Sequence, residues 1–507
     1  MPLSDIESMQ SVRRKFMKRS MKILALMLCA GALILLGGCQ QSPEETTAPT
    51  TIITEPPLTA AEKYDLAKAG VDQAANWILN YTTEESRMIG KDTYTETVTG
   101  TASFSKLYQQ DMTAVVEEQL TYGSYSSAYT EVYCGGAAYA QVNGSNFTAE
   151  MDAADFVQRQ LPAALLDSSL YQTITESTGE NTTVVSFSDA AGLETWLAGS
   201  DAELICAAGT ATLDSTGVLM ETTYQAEFIQ GDARYSYSAV VRITVPQTLE
   251  LGATHQEHFE GSVSLESLDI PKMLLQVVGD VYTSQYMYCD TNETIYSEAI
   301  PTSYTQRGIF HLTGGNDELW ALAEYQISGS DYRGEVYTKT QTDRFEDGLF
   351  TTTQDNGEPV ENTSMTAQLT REYCEDAILS ALVAPKYLAA ATLQDNGDHY
   401  RLEMTGNEAF MADLMAGIID FLDVDLDAKA TTSETLSIGG YLTIDKATRL
   451  PITMGLYLER THTIEDVPYV LSYQLDHTLI LSLTEDAVEE ETAPSEDNAT
   501  APSDEAV

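Results

Sequence analysis

Two turns built around aspartate constrain this chain more than any other feature. Thr212-Leu213-Asp214 stands five residues before Leu219, and Thr443-Ile444-Asp445 stands five before Leu450. In each case a strand-like run leads into the Asp and another leaves it (LDSTGVLMETTYQAEF and IDKATRLPITMGLYLE). An Asp and a turn segment between two such runs are the signature of a β-hairpin. Its recurrence in the second half of the chain predicts one hairpin architecture used twice.

The surrounding pattern repeats in the same order. A helical stretch over Asp152 to Leu170, interrupted at Pro162, is matched by Thr370 to Ala391, interrupted at Pro385. Val184 to Phe187 is matched by Tyr400 to Met404. Each half also opens on a helix. Thr59-Ala-Ala-Glu62 has the capping-box form, and Tyr64, Ala67, Val71, Ala74, Ala75 and Ile78 recur at helical spacing to an end near Asn80. Ile270 to Val281, with Pro271 near its start, reads likewise.

Between the helices lie strand-like runs rich in Thr, Tyr and Val. In the first half these are Thr93–Phe104, Thr113–Leu120, Ala128–Tyr133, Ala137–Val142, Asn181–Ser188, Thr210–Asp214, Leu219–Ile229 and Tyr235–Val245, with a helix around Leu193–Leu197. In the second they are Tyr304–Leu312, Trp320–Ile327, Gly334–Thr340 and Gly348–Thr353, followed by the matched segments. Without regular βαβ alternation, the order implies α+β with antiparallel sheets. The expected organisation is a repeat over 59–250, a polar break, and a second repeat over 265–484.

What precedes and follows these repeats differs in kind. Six basic residues between Arg13 and Lys22 lead into the apolar run Ile23–Leu36, which is too short at about 1.5 Å per residue for a core about 30 Å thick. The run ends in Leu36-Gly37-Gly38-Cys39. That pattern resembles the lipobox of bacterial lipoproteins. The resemblance implies a signal peptide over 1–38, cleavage between Gly38 and Cys39, and lipidation of the Cys39 thiol. Met17 and Met21 are alternative starts. Residues 39–58 are Thr- and Pro-rich and read as a disordered tether. Residues 485–507 carry nine acidic and no basic residues and read as a disordered acidic tail. The expected location is the extracytoplasmic face of a bacterial membrane, with the membrane reached through Cys39.

An exported chain with an opening helix, a long antiparallel sheet, central helices and a strand-Asp-turn-Leu-strand hairpin is similar to the LolA/LppX-type lipoprotein fold. The similarity covers each repeat. It implies a curved half-barrel sheet closed by helices, with a lipid or other apolar ligand between them. The alternative is a surface protein with no cavity that contacts protein or glycan.

Charge narrows the partners. The 26 basic and 77 acidic residues give a net charge of −51, which disfavours nucleic acid and anionic membrane surfaces. No cofactor is expected, and no nucleophile elbow or phosphate loop is present, so no reaction is expected. His255-Gln-Glu-His258 lacks the i, i+4 spacing of a metalloprotease helix. Asp423, Asp425, Asp427 and Glu434 stand at calcium-loop spacing, but Ala428 occupies the sixth position where the turn needs Gly. A helix end rich in acids is the favoured reading there. Cys134, Cys206, Cys289 and Cys374 fit either two disulfides or four thiols, and their apolar and aromatic neighbours favour buried thiols. The 28 Tyr residues suit either β-propensity or contact with a partner.

Overall fold

The computed structural model describes residues 57–483, except 108, 110, 161–167, 189–201, 252–258, 260, 301, 316, 317, 332 and 423. The signal segment, Cys39, most of the tether, the Leu193–Leu197 helix and the acidic tail lie outside the described residues. The chain divides into two compact units whose main boundary falls between Asp269 and Ile270, with the short segments Met88–Tyr94 and Tyr122–Ser126 grouping with the second.

The first unit opens on α1 (Ala60–Asp72), where Thr59 and Glu62 form the expected capping box. Tyr64, Ala67 and Val71 are its buried face. The helix stops well short of Asn80, because the apolar period changes from 3.6 to 2 at Asn76. Trp77, Leu79 and Tyr81 are buried, while Asn80 and Thr82 are exposed. This alternation makes β1 (Asn76–Ile89). The Trp77 indole then donates to the Val71 carbonyl at 2.7 Å, a second donor on an acceptor that the Ala74 amide also reaches at 3.0 Å, which fastens the helix end to the strand.

The remaining elements are β2 (Asp92–Ser105), β3 (Thr113–Tyr122), β4 (Tyr125–Cys134), β5 (Ala137–Val142), β6 (Ser145–Glu150), α2 (Ala153–Gln160), β7 (Thr173–Thr178), β8 (Thr182–Ser188), β9 (Ala202–Asp214), β10 (Leu219–Gln230), β11 (Ala233–Thr244) and the short β12 (Val263–Ser264). They form a twelve-stranded sheet in the order β12-β6-β5-β4-β3-β2-β1-β11-β10-β9-β8-β7. Trp77, Phe104 and Phe156 meet edge to face, with centroids 6.2 and 6.4 Å apart along the row.

The second unit follows α3 (Asp269–Thr283) with β13 (Tyr286–Ser297), β14 (Thr302–Thr313), β15 (Trp320–Ser330), β16 (Val336–Glu346), β17 (Leu349–Gln354), β18 (Val360–Asn362), α4 (Ala367–Leu379), β19 (Leu388–Asp395), β20 (His399–Gly406), α5 (Glu408–Leu422), α6 (Leu426–Lys429), β21 (Thr432–Asp445), β22 (Pro451–Ile464) and β23 (Val467–Ser482). Its eleven strands run β18-β17-β16-β15-β14-β13-β23-β22-β21-β20-β19. Counted from the first strand of each unit, and leaving β12 aside, both sheets read 6-5-4-3-2-1-11-10-9-8-7. Asp214 and Asp445 both end strand 9 in this count. Asp214 Oδ1 accepts from the Thr216 and Val218 amides, and Asp445 Oδ1 accepts from the Thr448 amide and hydroxyl.

The molecule is therefore mostly β-sheet with a few helices, richer in strand than the expected α+β balance. Neither sheet closes on itself. The run after Pro385 is not helix: a single 3₁₀ turn, Pro385–Tyr387, passes directly into β19.

Tyrosines fill the sheets by lying across glycines on neighbouring strands. Tyr325 opposes Gly308, and Tyr441 opposes Gly455. A Cβ at either glycine would stand 2.9 Å from Tyr325 Cδ1 or 2.8 Å from Tyr441 Cε1. Much of the Tyr content thus serves packing.

Candidate functional site

The exposed face of the first sheet is hollowed where β11, β1, β2, β3 and β4 lie side by side. The hollow measures about 760 Å³. Strand alternation sets its chemistry. Asn80 and Thr82 of β1, Thr99 of β2, Glu117 and Gln119 of β3, Ala128 of β4, and Val240 and Arg242 of β11 are the exposed residues of the lining. The Thr101 hydroxyl donates to Asn80 Oδ1 at 3.0 Å. Arg242 Nε donates to Glu221 Oε2 at 2.9 Å, so this guanidinium already faces a carboxylate.

The buried side of the same strands holds the floor in place. Tyr81 crosses Gly100, where a Cβ would stand 2.7 Å from Tyr81 Cζ, and its hydroxyl donates to Glu118 Oε1 at 2.6 Å. Burial, and then the Glu118 charge, push the Tyr81 phenol well above its ordinary pKa. Tyr129 of β4 donates to the Leu268 carbonyl at 3.0 Å. Two residues on, the fully buried Glu131 accepts from Arg159 Nη1 and from Gln160 Nε2, both of α2. Arg159 Nη2 also reaches Asp269 Oδ1 at 2.6 Å. Burial works to lower the Arg159 pKa, but Asp269 and Glu131 together hold it above its usual value. A charge so held is inert and structural.

The place where an apolar ligand is expected, between helix and sheet, is filled at α1. Tyr64 and Tyr171 pack on Phe187 with centroids 4.7 and 5.2 Å away. The space left among them, Gly209 and Tyr224 is about 10 Å³, at the lower limit for one water.

Cys39 and Gly38, the pair His255 and His258, and Asp423 lie outside the described residues. The rest of the calcium-spaced set is otherwise engaged. Asp425 caps α6 by accepting from the Ala428 amide at 2.9 Å. Asp427 pairs with Arg460, and Glu434 sits within β21. Among the described residues no group of three or more His, Cys, Asp or Glu gathers as a metal site.

Folding also assembles Ser433, His462 and Asp427. Ser433 Oγ lies 3.1 Å and Asp427 Oδ1 3.3 Å from the same ring nitrogen, Nδ1. A hydrolytic relay needs the acid on one nitrogen and the nucleophile on the other. This cluster is a packing contact on a fully buried histidine.

The four described cysteines are free thiols. Cys289 and Cys374 are buried as expected, Cys134 is half-buried and Cys206 is exposed on β9. The exposure of Cys206 departs from the expectation. Among the described residues no helix is long and apolar enough to cross a membrane.

The hollow escaped the sequence reading because it depends on which strands are neighbours. β1 and β11 lie side by side in the sheet, although most of the unit's sequence separates them. The only local signal was the polar alternation of Asn80-Tyr81-Thr82 and Thr99-Gly100-Thr101.

No protein-family description and no curated protein matches the chain. Among solved structures it is similar to LprF from Mycobacterium bovis, at 11% identity over 38% of this chain and 96% of that one, with a TM-score of 0.24. It is also similar to a candidate AttH from Nitrosomonas europaea, at 6% identity over 85% of this chain and 99% of that one, with a TM-score of 0.13. OpdL of Pseudomonas aeruginosa follows at 7% identity over 81% of this chain and 99% of that one, with a TM-score of 0.10.

Proposed function

We propose that this chain is a lipoprotein of the extracytoplasmic membrane face, anchored through Cys39, that works by binding rather than by catalysis. Its two units are read as a tandem duplication. The shared strand order and the matching Asp214 and Asp445 turns support that reading. Two acyl chains on Cys39 would hold it stably, since each buried methylene contributes about 0.8 kcal/mol.

The observation that carries the binding reading is the hollow of about 760 Å³ on the exposed face of the first sheet, a volume within the usual range of ligand sites. The filled space at α1 favours this face over a lipid pocket in the first unit. A lipid or other apolar ligand remains the second reading, and it belongs to the second unit. There Phe421 of α5 is 40% exposed and packs on Tyr304 of β14 with ring centroids 4.6 Å apart, so aromatic surface stands open where this helix meets the sheet.

Fractionation tests the address, and native mass spectrometry tests the ligand. Cys39→Ser is expected to move the mature chain out of the membrane fraction or leave an uncleaved precursor. Mature Cys39→Ser protein that still sediments with membranes would sink the anchor. A co-purifying lipid would move the binding site to the second unit.

A further inference from the structure

We infer that the hollow on the first sheet takes a neutral, polyhydroxylated chain such as a glycan segment. This rests on the reading of the hollow as the binding site. Five adjacent strands give four spacings of about 4.8 Å, so the hollow crosses roughly 19 Å of sheet. That length fits an extended polymer rather than a single small molecule.

The lining decides the chemistry. Thr82, Thr99 and Thr101 supply hydroxyls, and Asn80 and Gln119 supply amides. Hydroxyls donate and accept, and amides do both at fixed geometry, which matches the alternating donors and acceptors of sugar hydroxyls. An anionic polymer is disfavoured because the one guanidinium of the lining, on Arg242, already faces Glu221, while Glu117 adds negative charge. The net charge of −51 repels such a ligand further. An apolar chain is disfavoured because the two aromatic residues of the lining, Tyr81 and Tyr129, are buried and offer little ring surface, which leaves Ala128 and Val240 as its exposed apolar side chains.

The test uses the mature, anchored protein in detergent and a tetramer of N-acetylglucosamine, which carries both hydroxyl and amide groups. Calorimetry is expected to show saturable binding at or below about 1 mM that changes little with salt. Thr99→Arg fills the hollow from an exposed position and is expected to weaken binding at least tenfold at an unchanged thermal midpoint. If Thr99→Arg lowers the midpoint, Gln119→Arg replaces it. Absence of binding by the wild type, or equal binding by the folded variant, overturns the inference. Binding of tetralysine instead, steeply weakened by salt, also overturns it. In that outcome a loss in Thr99→Arg would leave the hollow as the binding site with a cationic ligand, so the two readings fail separately.

Discussion

Arg460 gives two of its donors to a single oxygen of Asp427, Nε at 3.2 Å and Nη2 at 2.8 Å. The contact ties α6 to β22 and removes Asp427 from any role as a cation ligand. The Asp427 carboxyl pKa is lowered: its partial burial raises it, but bonds from Ser433 and Arg460 more than offset that. Asp427→Ala should lower stability by about 1 kcal/mol, a modest figure because the carboxylate is partly exposed and screened. Calcium should leave the thermal midpoint of the wild type unmoved. A calcium-dependent rise abolished by Asp427→Ala would restore the cation reading.

The buried histidines set a pH dependence. His477 lies with Nε2 3.1 Å from the Ala377 carbonyl, and burial lowers its pKa. His462 is lowered by burial first, with Asp427 raising it and Arg460 lowering it. The unfolded chain takes up these protons near pH 6.5, and the folded chain only at lower pH. Their stabilising effect is therefore present above about pH 6.5 and is lost as pH falls below it. Burial raises the Glu293 and Glu375 carboxyl pKa values, which acts in the opposite sense on further acidification. The measurement is the urea midpoint at about pH 7.5 and pH 5.5. His477→Gln should show a smaller loss between the two than the wild type, and an equal loss would remove His477 from the account.

Much of the fold was legible in local pattern, and its centre was not. The capping box at Thr59, the hairpin aspartates and β5 were readable because each depends on residues within a few positions of one another. β1 and β13, the central strands of the two sheets, were missed. At β1 the apolar residues of α1 run on into Trp77 and Ile78, and no glycine or proline marks the change of period. The hollow was hidden for a different reason. Polar alternation identifies an exposed face, but only strand order says that five such faces adjoin.

Thiol accessibility should separate the four described cysteines. Burial pushes the Cys374 thiol up to about 12, and it raises Cys289 as well. The thiolate is the reactive form, so both should resist alkylation in the folded protein. Cys206, exposed on β9, should react first, and Cys134 more slowly. Peptide mass spectrometry after a timed alkylation reads the order. Rapid labelling of Cys289 or Cys374 without denaturant would show that the second unit's core opens in the native state.

The Tyr81 and Gly100 pair supports the hollow from its buried side. Adding a methyl at Gly100 places a Cβ 2.7 Å from Tyr81 Cζ and 3.0 Å from the Glu117 carbonyl. The ring has to move, and its bond to Glu118 at 2.6 Å moves with it. Gly100→Ala should therefore destabilise by about 1–3 kcal/mol, the usual cost of overpacking. Tyr81→Leu removes the ring and the hydroxyl together, and should cost about 2–4 kcal/mol through lost packing and the stranded Glu118 contact. If ring and glycine are coupled, Gly100→Ala should cost clearly less in the Tyr81→Leu background than in the wild type. Denaturant titration of the four proteins measures the coupling. Additive costs would mean that the Glu117 carbonyl, rather than the Tyr81 ring, excludes a side chain at position 100.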